Sequence, residues 1–318
     1  MILTSSIAPT GLLDNSDQLH LSAVEGKRRH QALVEVERKV NIEGMRTVLS
    51  AALESTVTQL VYVGNADIVF DGRDRPMLRE VDAPYPATTW ASELEPRSHG
   101  ERMVLSFNGV NALRTAVIRP AQLYGPGYTP RVVGHQIGDN TNLVDRTYVG
   151  NAAHAAILAA DRLVPAHPQH AATAGHAFFI TDGDPRPFWD FDRALWAAAG
   201  NSPAIIPGKM GQRTALMLAS IEDMVGNWRG ESPEMWRKIR FMCATRTYDI
   251  RRAREVLGYA PIVGREEGIR RTAEWWLERQ LKICKSRRSV TDAATSENHR
   301  PPNNREAASW LAEKSLFC

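Results

Sequence analysis

The chain is 318 residues long, 43% apolar and 24% charged, with a formal net charge of +3, enough for one large globular α/β domain with a smaller appendage. So small a charge, with Lys and Arg scattered until the last quarter, excludes a strong nucleic-acid footprint, and no run of about 18 apolar residues is present to cross a bilayer. Cys243, Cys284 and Cys318 are far apart, which argues against a disulfide framework or a thiolate metal site and for a reducing, cytoplasmic setting.

Residues 1–35 carry no strand or helix periodicity and are expected to be irregular. From about residue 36, "VERKVNIEGMRTVLSAALEST" places Val40, Met45, Val48, Leu49 and Leu53 at helical spacings and runs directly into "QLVYV", a helix feeding a strand. The stretch "VYVGNADIVFDGRD" reads as that buried strand running out into a polar turn, where an enzyme would display a reactive side chain. No serine, threonine or cysteine stands at its exposed end. Next come a helix around "SHGERMVLSFNG", with a glycine at the C-cap position, and "LRTAVIRP", a β-rich run stopped by Pro120. "AQLYGPG" is a loop. Beyond it, "TYVGNAAHAAILAADRL" reads as a helix, "GHAFFITDGDPRPFWDF" as strand, turn and helix start, and "YDIRRAREVLGYAP" and "EEGIRRTAEWWLERQLK" as two amphipathic helical pieces. Strands alternating with helices predict a parallel sheet covered on both faces. The polar, aperiodic residues 286–318 predict a disordered tail.

The motifs "NIEGMRTVLSAA", "LVYVGNADIVFDGRD", "DAPYP", "LRTAVIRPAQLYGPG", "QIGDNTNLVDRTYVGNAAHAAILAADRL", "GHAFFITDGDPRPFWDF" and "YDIRRAREVLGYAP", in this order, resemble the 3β-hydroxysteroid dehydrogenase/isomerase branch of the extended short-chain dehydrogenases, and within it the sterol-4α-carboxylate 3-dehydrogenases. The resemblance implies a Rossmann-like parallel sheet over residues 36–285, with a small substrate lobe mainly within 175–285. It also implies NAD or NADP as cofactor and a hydrophobic polycyclic alcohol or ketone as ligand.

Three departures touch the chemistry. The family opens with a strand, a glycine-rich turn and a helix that holds the cofactor pyrophosphate, whereas Gly11, Gly26 and Gly44 are too dispersed to form one. Much of the cofactor half is therefore expected to be missing, with apolar faces covered by residues 1–40 or by a second copy of the chain. The family's serines at the strand end match Gly64 and Asn65, whose amide can still donate to a carbonyl oxygen; a plain turn residue is the alternative. The family's Tyr-x-x-x-Lys pair matches Glu93 and Arg97. Held ionised by the arginine, Glu93 would be a base and a poor proton donor, and an i,i+4 surface ion pair is the blander reading. Tyr85 lies ahead of the catalytic helix, so it is not expected to replace the missing tyrosine. Pro96 is tolerated only in a helix's first turn, so that helix is expected to start late.

Tyr124 and Gly125 match the loop that approaches the nicotinamide in relatives. His154 falls in a segment that lines the cleft and anchors the two lobes, and Trp228 and Trp236 in the part that shapes the substrate lid, with core packing the alternative. His167, His170 and His176 have no nearby carboxylate and are read as a solvated loop, so no metal is expected. The expected function is a 3β-hydroxysteroid dehydrogenase-type oxidoreductase of sterol or terpenoid biosynthesis, peripheral to endoplasmic reticulum membranes. The competing readings are a cofactor-free isomerase or cyclase with Glu93 as base, and an inactive binding relic.

Overall fold

The computed structural model describes residues 2–4, 32, 34–86, 94–129, 136–200, 208–228 and 235–297. Its centre is a four-stranded parallel sheet in the order β1 (Ile2–Thr4), β2 (Gln59–Val63), β4 (Arg114–Pro120), β9 (His176–Ile180). Alternation of side chains sends Leu60, Tyr62 and Val117 to one face, where Met45, Leu49 and Ala52 of α1 (Met45–Glu54) and Val104 of α2 (Leu94–Ser106) cover them. Val61, Ala116 and Ile118 point to the other face, against Ala155, Ala156 and Ala159 of α3 (Val149–Arg162). Burial on both faces is why these strands read as continuous apolar runs.

A π-helical turn at Lys39–Gly44 leads into α1 and carries the buried Asn41. Gly100 of α2 packs on it so closely that a Cβ would sit 2.5 Å from the Asn41 carbonyl oxygen, which explains the glycine inside "SHGERMVL". Pro96 falls in the first turn of α2, and Gly109, just past its end, is left-handed.

A second sheet, in the order β10 (Arg186–Pro187), β7 (Leu143–Val144), β12 (Arg246–Tyr248), β3 (Arg75–Leu78), builds the smaller lobe. Two short parallel pairs, β5 (Gln122–Tyr124) with β8 (Arg146–Tyr148) and β6 (Gln136–Ile137) with β11 (Lys209–Met210), join it to the main sheet's end. The remaining helices are the single turn α4 (His170–Thr173), α5 (Phe188–Ala198), α6 (Gln212–Trp228), α7 (Met235–Cys243) and α8 (Arg265–Glu297). A core of Phe188, Trp189, Ala215, Ala219, Ile239 and Met242 holds α5, α6 and α7 together.

Two expectations need correction. Residues 1–35 are not wholly irregular, because Ile2, Leu3 and Thr4 pair in parallel with Val61, Tyr62 and Val63; three residues are too few to show a period, and the pairing is tertiary. Nor is the segment from 286 wholly tail, since α8 continues through Glu297. Extending a formed helix adds a hydrogen bond for each residue ordered, without a new nucleation cost.

Candidate active site

Ligands of open parallel sheets sit at the carboxyl ends of the strands, here the ends of β2 and β4. Gly64 continues β2 by one bond, its N–H donating to the Ile118 carbonyl at 2.8 Å. Asn65 is extended, and its Oδ1 accepts from the Asp67 N–H at 2.7 Å, capping a 3-10 turn at Ala66–Val69. That use of the oxygen leaves Nδ2 as the end of Asn65 able to donate elsewhere.

Glu93 lies outside the described residues. Arg97 reaches across to the helical residues 34–38, where Nε and Nη2 meet the two carboxylate oxygens of buried Glu37 at 3.1 and 2.7 Å. Asn41 Nδ2 donates to the same carboxylate at 2.6 Å. The guanidinium at this position is thus held by a two-point fork, with its charge matched locally. Glu37 is a partner that sequence spacing missed, because it precedes Arg97 by sixty positions.

Beneath the strand end lies a fully buried carboxylate, Glu101 of α2. One oxygen, Oε1, accepts from Arg119 Nε and Nη2 at 2.9 and 2.6 Å and from the Tyr85 hydroxyl at 2.6 Å. The other, Oε2, has no hydrogen-bond partner among the described residues and lies where a side chain on residue 64 would go, 2.8 Å from an added Cβ. A glycine at residue 64 therefore has a steric reason: the carboxylate fills the space of a side chain. Burial and the charge of Glu101 drive the Tyr85 hydroxyl far above its usual acidity range, so it keeps its proton and acts as a donor. It is not a proton shuttle near neutrality.

The loop after β5 is organised by Asp182. Its carboxylate accepts from the Tyr124 hydroxyl at 2.8 Å, the Tyr148 N–H at 2.9 Å and Asn151 Nδ2 at 2.7 Å. Tyr124 is buried edge-to-face against Tyr148 and Phe191. Gly125 has φ +139°, and a Cβ there would meet Val149 Cγ1 at 2.5 Å. Gly125→Ala is therefore expected to lose roughly 2–4 kcal/mol through strain and overpacking. Urea unfolding of the single variant checks this, and a change below about 0.5 kcal/mol would mean that the loop yields freely.

Asp145, between β7 and β8, accepts from the Tyr248 N–H at 2.8 Å. Burial pushes its carboxyl from an ordinary 3.8 up to about 6. The folded state thus holds this proton more tightly than the unfolded chain, so its contribution is complete below about pH 4 and is lost as pH rises to about 6, a difference on the order of 3 kcal/mol. Asp145→Asn keeps an acceptor for Tyr248 and is expected to melt above the parent at pH 8 but level with it at pH 4. Equal melting temperatures at both pH values would refute the assignment.

The histidines serve local structure: His167 Nδ1 accepts from the Gln169 N–H, His170 Nδ1 lies 3.0 Å from the Leu163 carbonyl, and His154 lies beside the Tyr259 ring. Among the described residues no group of three His, Cys, Asp or Glu side chains is arranged for a metal. Trp236 is exposed on α7, with its backbone N–H donating to the Asp223 carboxylate, and nothing is described of the Trp228 side chain.

The model of the 3-beta hydroxysteroid dehydrogenase/isomerase family matches residues 16–206. A decarboxylating sterol-4-alpha-carboxylate 3-dehydrogenase of Schizosaccharomyces pombe is 36% identical over 258 residues, covering 77% of this chain and 74% of the relative. Its Candida albicans counterpart is 34% identical, over 77% and 73%. Among solved structures, UDP-glucose 4-epimerase of Thermotoga maritima with UDP-glucose has a TM-score of 0.55 at 17% identity, covering 82% of this chain and 75% of that one. A dTDP-glucose 4,6-dehydratase of Streptomyces venezuelae with NAD bound also has a TM-score of 0.55 at 17% identity, over 80% and 70%. At these identities the solved structures establish the fold alone.

Proposed function

Because this chain belongs to the 3-beta hydroxysteroid dehydrogenase/isomerase family, we propose that it is an oxidoreductase acting on the ring alcohol or ketone of a sterol- or terpenoid-like molecule, in a biosynthetic pathway. The observation that carries the proposal is the match at 36% identity over three quarters of the chain to a sterol-4-alpha-carboxylate 3-dehydrogenase. Such a substrate bears an acid group beside the reacting hydroxyl. Nicotinamide, as NAD or NADP, supplies the hydride chemistry in this reading.

The chain's own residues bind and orient. Asn65 Nδ2 donates to the substrate oxygen at the end of β2, in the place of the family's serine. Arg97, pinned by Glu37, keeps a fixed positive charge at the lysine position, and Glu93 is the acceptor proposed at the tyrosine position. Tyr124 and Gly125 border the nicotinamide end of the cleft, the tyrosine through its ring and the glycine through its backbone. No described helix is long and apolar enough to cross a membrane, and the proposal places the chain in the cytoplasm, peripheral to endoplasmic reticulum membranes. A second copy of the chain packed on the outer edge of β1 completes the reading.

Calorimetric titration of the folded chain with NADH and NADPH, followed by mass analysis of sterol alcohols incubated with it and the oxidised cofactor NAD or NADP as hydride acceptor, tests the proposal. Saturable binding and a product two mass units lighter are expected. Absence of cofactor binding by a chain shown to be folded would overturn it. An isobaric product would instead favour cofactor-free proton transfer with Glu93 as base.

A further inference from the structure

Two buried arginines have no role in the site described so far. Arg146 opens β8 and Arg246 opens β12, and they are only 8% and 3% exposed. In both, Nε and Nη2 are buried with no acceptor. Arg246 Nη1 meets Asp67 Oδ1 at 2.9 Å, whereas no ion pair is formed by Arg146 among the described residues. Both guanidinium groups lie over aromatic rings: Arg146 is 3.9 Å from the centre of Phe191 and 5.8 Å from that of Phe188, and Arg246 is 3.4 Å from Phe241 and 5.5 Å from Phe70.

The backbone brings them together. Arg246 pairs in register with Val144, so Arg146 stands two residues further along the neighbouring segment, the spacing that returns a side chain to the same face. Burial draws the pKa of Arg246 down against the pull of Asp67, and the charge of Arg146 adds to the fall, as expected of two cations in one apolar enclosure. Among the described residues Asp67, on Arg246, is the one carboxylate in ion-pair contact with either guanidinium. Burying an unmatched ion costs several kcal/mol, and ring contacts offset only about 2 kcal/mol of it. An enclosure of this kind, with aromatic walls and four buried N–H-bearing atoms lacking acceptors, is complementary to an oxyanion carried on an apolar body.

We propose that Arg146 and Arg246 form the binding site for a carboxylate borne by the ring ligand, beside the position of the reacting hydroxyl. The location follows from Asp67: it holds Arg246, and it lies in the turn that Asn65 caps at the end of β2. The proposal rests on the sterol reading above and assigns that substrate's acid group to two residues. Arg246 is held by Asp67 and offers its remaining edge, while Arg146 brings the charge that has no partner within the described protein.

The test uses intrinsic tryptophan fluorescence without cofactor, with two probes: a 3β-hydroxysteroid bearing a 4α-carboxylate and the same steroid bearing a 4α-methyl group. The parent is expected to bind the acid at least ten-fold more tightly, and Arg146→Met to bring the two affinities within about three-fold of each other. Arg146→Met is also expected to raise the melting temperature of the ligand-free protein, because it removes an unmatched buried charge while keeping the apolar stem; a purely structural arginine would show a fall. Arg146→Lys, which keeps the charge but loses the fork, is expected to retain part of the preference. Equal binding of the two probes by the parent overturns the carboxylate assignment and leaves the sterol reading standing, whereas no binding of either overturns both. A preference that survives Arg146→Met, a variant that melts below the parent, or millimolar acetate displacing the acid probe to the same extent from the parent and from Arg146→Met would each overturn the assignment to this pair.

Discussion

Glu101→Leu is expected to lose about 3–5 kcal/mol of stability, the range for breaking a buried ion pair from one side. The carboxylate is wholly buried and one of its oxygens takes three donors. Leucine fills much of the volume but accepts nothing, so Arg119 is left charged in the core and the Tyr85 hydroxyl loses its acceptor. Part of the guanidinium's cost is offset by the Tyr85 and Phe179 rings, 5.2 and 5.6 Å from Arg119 Cζ, which places the loss inside that range. The double variant Glu101→Leu with Arg119→Met removes both charges and is expected to recover most of the loss. Urea denaturation of the four proteins forms the cycle. If the single variant unfolds within 1 kcal/mol of the parent, the buried pair is not formed in solution.

Asn151→Ala is expected to cost about 3–4 kcal/mol and to loosen the second lobe. Every donor and acceptor of this carboxamide is used: Oδ1 accepts from the Ile262 and Val263 N–H groups at 3.0 Å, and Nδ2 donates to the Val263 carbonyl at 2.8 Å and to Asp182 at 2.7 Å. Alanine strands these partners without water, at roughly 1–3 kcal/mol for each buried group left unpaired, softened by relaxation of the loop. The loop at 262–263 leads into α8, which packs on α5 through the edge-to-face pair Trp196 and Trp276 at 5.4 Å. Undocking should therefore appear as a change in tryptophan emission before global unfolding. Asn151→Asp sets a carboxylate against Asp182, whose own carboxyl is already pushed up by burial, and is expected to be worse above neutral pH than at pH 5. A variant as stable as the parent, with unchanged emission, would remove Asn151 as the link between α3 and α8.

Local patterns account for what was legible in the chain. The helix running into "QLVYV", the strand "LRTAVIRP", the alanine-rich helix and the strand "HAFFI" each carry their own period over seven or more residues or end in a strong Gly or Pro signal, and the structure has them in that order. The order of motifs also carried the family, because many weak local matches in one sequence are jointly specific. The readings of Gly64, Asn65 and Arg97 as departures from the family's motifs rest on position alone.

What they contact could not. Arg97 answers to Glu37, Arg246 to Asp67 and Arg119 to Glu101, and no periodicity relates those positions; sheet order and helix crossing bring them together. Gly64 is visible in the sequence as a residue without a side chain, but the reason, a buried carboxylate oxygen in the space above it, exists only once α2 lies on β4. The three-residue β1 likewise has too little length to announce itself and is defined by pairing with β2. Sequence by itself determined the elements with a strong local period, their order and the family, since each depends on residues near one another in the chain. Tertiary structure alone decided the charges' partners, since a buried ion's energy depends on what the folded core places within about 3 Å of it.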